Sequence, residues 1–402
     1  MSRLRVESPR PLPDWDWQSE LTAVPTAWPF LGPTWLRATE RALPAARPWH
    51  TVAQDGPGQV AYLPGFLFDR PPALDFDPRA YLGWTPPSGE NACGVCGCSD
   101  AGAEIEALGE SAFFPALLLG SPIAYRTEVV STFEAPDLSH RLLEAALASA
   151  SAQSVKTVIA PWVPQERHNE RLLGAIREAG GHAAFWGVED YLDLSPDGYE
   201  AWLRGLSTKR RYRIKEDLDR VEEAGISIGR VEGAELEALV PRITQLTCLT
   251  KEKNLANEDP VHVETVLHTL LEAGAGVRCY VARRDGEVVG TCVALLKNQR
   301  LYIKWAGFDY ASLGDRSGVY FGLVLHAPIR DGYSEGLRGI EFGAGAHQAK
   351  ALRGCLNRAK LTAMVAAEPA LRSALPRLLA AFGDRQRTEF GVAEQVQLKP
   401  SA

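Results

Sequence analysis

Residues 277–308 read VRCYVARRDGEVVGTCVALLKNQRLYIKWAGF, and this stretch decides the fold of the second half of the chain. Two turn signals, Asp285-Gly286 and Asn298-Gln299, separate runs rich in Val, Tyr, Ile and Trp. Runs of this composition joined by two-residue turns are typical of β-hairpins. The stretch therefore predicts a meander of three antiparallel strands.

The chain after this meander predicts a helix, a further strand and a glycine-rich loop. Gly318 precedes a segment whose apolar spacing fits a buried helix, and residues 337–342 read as a strand. The loop follows as FGAGAHQAKALRG at residues 342–354. A helix that begins beside strand ends offers unpaired N–H groups, which suit a phosphate, a carboxylate or an oxyanion.

The order of these elements and the loop at 342–354 resemble the GNAT superfamily, in its Fem-like, two-domain branch, over residues 188–365. The resemblance implies an α/β fold of two tandem GNAT-like domains, each a mixed, largely antiparallel sheet flanked by helices. It also implies an enzyme that forms amide bonds, with an acyl-CoA or an aminoacyl-tRNA as donor. The Gly-rich signature of CoA-binding members is present only faintly at residues 315–322, which favours the aminoacyl-tRNA donor.

The length of 402 residues exceeds the roughly 250–300 residues at which one hydrophobic core stops growing, so two domains are expected. Residues 1–190 form the predicted first domain, a degenerate GNAT-like half with a Pro- and Trp-rich start and an irregular loop at 71–103. Residues 191–402 form the predicted GNAT-like catalytic domain. Its pattern predicts one helix over 195–225 and a closing strand over 388–398.

The bulk composition predicts a cytoplasmic protein without a membrane anchor. No apolar run approaches the roughly 18–20 residues of a membrane span, and the first residues lack the apolar core of a signal peptide. The net charge of −7 argues against non-specific coating of nucleic acid, although a local basic surface would still meet an RNA backbone.

Three of the seven cysteines, Cys93, Cys96 and Cys98, lie together in the Gly-rich loop. Three thiolates at this spacing would suit a zinc ion, but no fourth ligand is evident, and a reduced loop is the alternative. We therefore predict no metal and no resident cofactor. If the donor is an acyl-CoA, it would act as a cosubstrate.

Amide formation needs a held carbonyl, a neutral amine and a route for the released proton, and it needs no covalent nucleophile. The candidates lie on the third strand of the meander, on the Gly318 helix and on the loop. His347 has a side chain whose ordinary pKa lies near neutrality, and a structural histidine is the alternative. The resemblance assigns Lys350 a contact with the substrate and Tyr320 donation to the leaving group. The predicted catalytic residues are Glu341, His347, Lys350, Asp309 and Tyr320.

The donor-binding candidates are backbone glycines and basic side chains. Gly318, Gly343 and Gly345 would let backbone N–H groups approach a ligand. Lys304 is either exposed or paired within a cleft, and Arg353 would neutralise a substrate anion. A basic run, whose alternative is a solvated helix face, would contact phosphates through Lys209, Arg210, Arg211 and Arg213.

Three functions remain open from the sequence. The first is transfer of an amino acid from its tRNA to the amine of a small molecule. The second is acyl-CoA-dependent N-acylation, and the third is a GNAT fold that binds without catalysis. The expected partners are thus a small-molecule amine and an aminoacyl-tRNA, with no membrane.

Overall fold

The chain folds into two compact units in a computed structural model that describes residues 4–71, 73–85, 100–253, 259–313 and 318–391. The first unit comprises residues 1–187 and 359–402, and the second comprises residues 188–358. The break near residue 188 lies close to the expected one. The division differs from the predicted 1–190 and 191–402 because the last residues return to the first unit.

The first unit begins with short strands and helices that enclose an apolar core. Its strands are β1 (Arg5–Glu7), β2 (Arg47–Pro48), β3 (Thr51–Gln54), β4 (Val60–Leu63), β5 (Gly65–Phe68), β6 (Ala116–Leu119), β7 (Val130–Ser131) and β8 (Thr157–Pro164). Its helices up to this point are α1 (Trp17–Ala23), α2 (Pro33–Ala42), α3 (Asp100–Leu108), α4 (Leu138–Ala152) and α5 (Glu170–Glu178). Short 3-10 turns cover Pro29–Leu31, Leu74–Phe76, Pro78–Leu82, Glu110–Ala112 and Arg167–Asn169.

The second unit is entered through β9 (His182–Asp193). Its strands are β10 (Ser227–Val231), β11 (Val277–Arg284), β12 (Glu287–Lys297), β13 (Arg300–Phe308) and β14 (Gly339–Gly343). Its helices are α6 (Tyr199–Gly205), α7 (Thr208–Glu223), α8 (Gly233–Ala238), α9 (Val240–Lys253), α10 (Pro260–Glu272), α11 (Tyr310–Leu313), α12 (Val319–Phe321), α13 (Ala327–Ser334) and α14 (His347–Ala351), with a π-helical segment at Gly322–His326. The chain then returns to the first unit through β15 (Leu356–Ala366) and ends its described part in α15 (Pro369–Phe390).

The same pattern of strand pairing occurs once in each unit. In the second unit, β12 pairs antiparallel with β13, β13 parallel with β14, and β14 antiparallel with β9. In the first unit, β5 pairs antiparallel with β6, β6 parallel with β8, and β8 antiparallel with residues 360–366 of β15. Each parallel pair is connected by a chain segment that contains a helix, α4 or α12 to α13. The predicted α/β class with mixed, largely antiparallel sheets is thereby confirmed.

The predicted meander is confirmed, and each unit has its own core. The turns at Asp285-Gly286 and Asn298-Gln299 place residues in the left-handed region, as two-residue hairpin turns require. Apolar side chains of β12, β13 and the helix after Gly318 fill the core of the second unit, including Leu301, Leu323 and Ile329. A separate cluster around Leu117, Leu142 and Ile176 fills the first unit.

Three predictions of secondary structure are wrong. The single helix over 195–225 is two helices, because Ser207 caps the start of α7 and separates it from α6. The loop over 71–103 ends in α3, whose first residues are 100–103. The closing strand over 388–398 is wrong at residues 388–390, which complete α15; residues 392–398 lie outside the described ranges.

Among the described residues, none of the helices combines the length and the apolar character needed to cross a membrane.

Candidate active site

The candidate site of the second unit lies where two parallel strands diverge. The ladder between β13 and β14 ends at Tyr302 and Glu341, although β13 continues to Phe308 and β14 to Gly343. A helix that connects two parallel strands begins at the edge where the first strand ends, and this edge is where open α/β sheets bind ligands. The start of the helix after Gly318 and the loop after β14 therefore lie at the same edge of the sheet.

Gly318 begins the helix in a conformation that few other residues adopt. Its φ is 69°, and a Cβ at this position would lie 2.7 Å from the backbone oxygen of Asp217. The predicted role of Gly318 as the residue that opens the helix thus has a steric basis in the packing against α7. The helix changes to π-helical hydrogen bonding at Gly322–His326, just before Pro328, which has no N–H to continue an α-helical ladder.

Tyr320 lies in the first turn after Gly318. Its ring packs against Phe308 and Phe321, with centroid distances of 5.7 and 5.0 Å. Burial, together with the negative charge of Asp190, raises the pKa of Tyr320 well above its ordinary value. The hydroxyl therefore stays protonated at neutral pH and can donate a hydrogen bond.

Lys350 fastens the glycine-rich loop rather than projecting into solvent. Its ammonium donates to the carbonyl oxygens of Phe342 at 3.1 Å, Gly343 at 3.2 Å and Ala344 at 3.4 Å. The side chain is 1% exposed. The predicted contact of Lys350 with substrate stays a prediction, and the geometry shows a different task for the ammonium.

The loop held by Lys350 presents backbone N–H groups. Gly343, Gly345 and Ala346 have φ values of 66°, 88° and 50°, and a Cβ on either glycine would meet nothing within 4 Å. Within the described part of the chain, the N–H groups of Ala344, Gly345 and Ala346 have no hydrogen-bond acceptor. Successive N–H groups around left-handed residues form concave anion sites. The predicted binding of a ligand by the backbone at Gly343 and Gly345 stays a prediction.

Asp190 is a member of the site that the sequence analysis missed. It lies opposite Gly343 in the ladder between β14 and β9, is completely buried, and places Oδ2 3.3 Å from Nζ of Lys350. Burial raises the pKa of Asp190, while the neighbouring Lys350 and His347 act in the opposite direction. Burial also lowers the pKa of Lys350. An acidic residue in the apolar strand AAFWGVEDYL was the available signal.

His347 is half-buried at the first position of α14, directly after the loop. It is one of the groups that oppose the rise in the pKa of Asp190. The structure thus brings together His347, Lys350, Gly343, Gly345 and the newly found Asp190.

Glu341 lies near the end of β14, and both of its carboxylate oxygens accept hydrogen bonds from arginines. Its two oxygens accept from Arg300 at 2.9 Å and from Arg358 at 3.1 Å. Arg358 also donates to the buried Glu189 at 3.0 Å. The partner expected for a buried carboxylate is therefore present, and Glu341 acts as the centre of an ion-pair network at the strand end.

Arg353 connects α14 to two other elements of the second unit. It donates to both oxygens of Asp217, at 2.5 and 2.7 Å, and its guanidinium lies 3.2 Å from the ring centroid of Phe321. Asp217 also accepts from Nε2 of His326 at 3.0 Å. Burial alone would raise the pKa of Asp217, but the hydrogen bonds from Arg353 and His326 lower it below its ordinary value. Arg353 therefore links α14 to α7 and the π-helical segment instead of facing an open site.

Lys304 lies on β13, and Asp309 directly follows this strand. Asp309 accepts from Arg242 at 3.1 Å and from the N–H of Ser312 at 3.2 Å, so it stabilises a turn. Burial alone would raise the pKa of Asp309, but the hydrogen bonds from Ser312 and Arg242 outweigh it and lower the pKa. Lys304 is the extra residue of a β-bulge between β12 and β13, and it is half-exposed.

The basic run of α7 divides into two groups. Arg211 donates to the carbonyl of Arg204, and Arg213 pairs with Glu216 at 2.8 Å. Lys209 and Arg210 are exposed in the first turn of α7 and make no ion pair within the described ranges. Lys209 and Arg210 are the members of the run whose side chains make neither an ion pair nor a hydrogen bond within the described ranges. Cys93, Cys96 and Cys98 lie outside the described residues.

A comparison with known families finds a match within the second unit. A family model described as an acetyltransferase (GNAT) domain matches residues 208–351. Residues 208–351 are therefore similar to a GNAT domain, and the predicted resemblance to this superfamily is confirmed over these residues. No curated protein matches the sequence.

Solved structures with similar folds share little sequence with this chain. FemX is 11% identical, with a TM-score of 0.48, over 86% of this chain and 94% of its own. A tandem GNAT protein from the clavulanic acid biosynthesis pathway is 13% identical, with a TM-score of 0.47, over 91% and 99%. L-PGS from Bacillus licheniformis is 15% identical, with a TM-score of 0.43, over 66% and 86%. At these scores no function is transferred from the three structures.

Proposed function

We propose that this protein is an N-acyltransferase that forms an amide on a small-molecule amine, with an aminoacyl-tRNA as donor. The observation that carries the proposal is the loop at residues 343–346. Its carbonyls turn toward Lys350, and its N–H groups remain available at the end of the diverging parallel strands. This arrangement suits the oxyanion that develops on a donor carbonyl during acyl transfer.

The reaction assigns a role to each group of the site. The acceptor amine attacks the donor carbonyl carbon, the C–N bond forms, and the loop N–H groups stabilise the oxyanion. His347 takes the proton that the amine loses. The C–O bond to the ribose then breaks, and Tyr320 donates a proton to the departing oxygen. Lys350, Asp190 and Arg353 act on the loop and on α14 instead of on the reacting atoms.

The donor class is supported by the start of α7. Lys209 and Arg210 are exposed there without an acidic partner in the described part of the chain, whereas Arg213 and Lys215 pair with neighbouring acids. Exposed cations on an otherwise acidic protein are suited to a local contact with an RNA backbone. The net charge of −7 argues against non-specific coating of RNA, so the proposed contact is a local one.

The second candidate is transfer from an acyl-CoA. It is favoured by the family model, whose description names an acetyltransferase. The same loop and Tyr320 would then serve a thioester, with a thiolate as the leaving group.

A transfer assay separates the two donors. The purified protein is incubated with a panel of small amines and either a pool of tRNA charged with labelled amino acids or labelled acetyl-CoA. We expect label to reach the amine from tRNA and not from acetyl-CoA. Transfer from acetyl-CoA alone would support the second candidate, and binding of tRNA without transfer would support a non-catalytic role.

A further inference from the structure

The basic run of α7 contains one aromatic side chain, Tyr212, and this side chain faces solvent. Tyr212 is 65% exposed, more than any other large apolar side chain of the described residues. Its ring packs against no other aromatic ring, and its hydroxyl makes no hydrogen bond within the described ranges. Single exposed apolar side chains are common on soluble proteins, so the meaning of this one depends on its surroundings.

Two lysines lie on the same face of α7 as Tyr212. Lys209 and Lys215 are three residues before and after it, so each is about one helical turn away. Lys215 pairs with Asp219 at 2.5 Å, whereas the side chain of Lys209 makes no ion pair with any described residue. The exposed ring is therefore flanked by positive charge along the helix.

The charges of α7 are arranged against the helix dipole. Its first eight residues contain five basic side chains and no acidic one, whereas its last eight contain five acidic side chains and one basic. The start of a helix carries a partial positive charge and its end a partial negative charge, so both groups lie where the dipole disfavours them. Ion pairs to the acidic half involve Arg213 and Lys215 but not Lys209 or Arg210. A local arrangement that costs stability is typical of a functional surface.

The ligand that suits this surface would be held by side chains and not by the helix start. Ser207 already caps α7, because its hydroxyl accepts from the N–H of Arg210 at 3.4 Å. The available groups are the exposed ring of Tyr212 and the cations of Lys209 and Arg210. A single nucleic-acid strand matches them, since its bases stack on aromatic rings whatever their identity and its phosphates pair with cations. A double helix keeps its bases stacked inside, so the ring would select an unpaired strand.

The surface lies close along α7 to residues that border the candidate active site. The carboxylate of Asp217 accepts from Arg353 at 2.5 and 2.7 Å, and a Cβ on Gly318 would lie 2.7 Å from the backbone oxygen of Asp217. Tyr212 precedes Asp217 by five residues, which is about 7.5 Å along the helix axis. The exposed ring is therefore within two helical turns of the contact with Gly318.

We propose that Tyr212, together with Lys209 and Arg210, binds the unpaired nucleotides at the aminoacylated end of a tRNA. The ring of Tyr212 stacks on one base, and the two cations pair with phosphates of the same strand. The amino acid of an aminoacyl-tRNA is attached to such an unpaired end. The inference rests on the proposed tRNA donor and adds the residue that recognises the single strand.

The test is fluorescence anisotropy of the full-length protein with two labelled RNA hairpins at constant ionic strength. One hairpin ends in an unpaired strand with the sequence CCA, and the other has the same stem with a blunt end. Y212A removes the ring and Y212F keeps it. V261A is the matched control, because Val261 is 60% exposed on α10 of the same unit. Alanine is favourable in helices, so Y212A should remain folded, which thermal unfolding verifies.

We expect Y212A to bind the hairpin with the unpaired end about 5- to 150-fold more weakly than the wild type, the range for loss of one stacked base. Y212F and V261A should bind this hairpin as the wild type does. The blunt hairpin should bind equally to all four proteins. Equal affinity of Y212A and wild type for the unpaired end, or an equal loss for both hairpins, would overturn the proposal.

Transfer from charged tRNA and from acetyl-CoA, measured in parallel, separates this inference from the proposed function. If charged tRNA supports transfer but Y212A changes neither binding nor transfer, stacking on Tyr212 is wrong and the tRNA donor stands. If neither hairpin binds the wild type and label moves only from acetyl-CoA, both are wrong. Displacement of the hairpin by poly-glutamate as effectively as by unlabelled RNA would show that the surface binds an acidic protein, and it would also overturn the proposal.

Discussion

Lys350 and Asp190 form a buried ion pair, with Nζ 3.3 Å from Oδ2, that joins α14 to β9 in the second unit. The two side chains are 1% and 0% exposed. The same ammonium holds three carbonyls of the loop, so the ion pair and the loop conformation depend on each other.

Breaking this pair from either side is expected to destabilise the fold. Replacing one partner of a buried pair costs about 3–5 kcal/mol, because the other charge remains uncompensated. K350M and D190N should each lower the free energy of unfolding by this order, measured by urea denaturation at pH 7. D190N/K350M should lose less than the sum of the two single variants. Additive losses would contradict a direct interaction.

Gly345 is expected to be needed for activity because of its backbone conformation. At φ 88° an alanine would be strained by about 1–2 kcal/mol, although its Cβ would meet no atom within 4 Å. G345A should therefore reduce kcat of amide formation and lower the free energy of unfolding by about 1–2 kcal/mol. G229A is the control, since Gly229 also has open space but no left-handed φ. Full activity of G345A would remove the loop from the catalytic account.

Tyr320 is expected to act through its hydroxyl. Y320F preserves the packing against Phe308 and Phe321, so its melting temperature should stay close to that of the wild type. Loss of a proton donor to the leaving group should lower kcat by roughly 10²–10⁴-fold, with little change in KM. Y310F is the control, because it removes the hydroxyl of another tyrosine that lies just after β13 and should leave kcat unchanged. Unchanged kcat in Y320F would show that its role is packing.

Much of this site could be predicted from the sequence because it depends on local patterns. Turn residues and alternating apolar side chains determine the meander, and Gly318 determines where the next helix begins. The loop glycines were identified for the same reason. The roles of Lys350 and Arg353 could not be predicted, since their partners Asp190 and Asp217 belong to distant segments of the chain. A basic side chain near a glycine loop looks the same in sequence whether it binds substrate or fastens the loop.

His326 is expected to make the stability of the protein depend on pH. Burial lowers the pKa of His326 below its ordinary value, so the folded protein binds fewer protons than the unfolded chain. This contribution is complete above the unfolded pKa of about 6.5, and it is lost progressively as the pH falls below that value. H326Q keeps a donor toward Asp217 but does not titrate.

The measurement is urea denaturation of wild type and H326Q at three pH values. These are the ordinary histidine pKa of about 6.5 and about one pH unit above and below it. The wild type should lose more stability than H326Q between the upper and lower pH. Parallel profiles would show that protonation of His326 is not linked to folding.

The most direct test of the proposed function is binding of aminoacyl-tRNA and of acetyl-CoA to the wild type and to K209A/R210A at several salt concentrations. We predict that aminoacyl-tRNA binds with a steep salt dependence. The slope of log affinity against log salt should become shallower by about 1.4–1.8 when two phosphate contacts are removed. The opposite result, saturable binding of acetyl-CoA with no binding of aminoacyl-tRNA and no effect of K209A/R210A, would contradict the tRNA-dependent account.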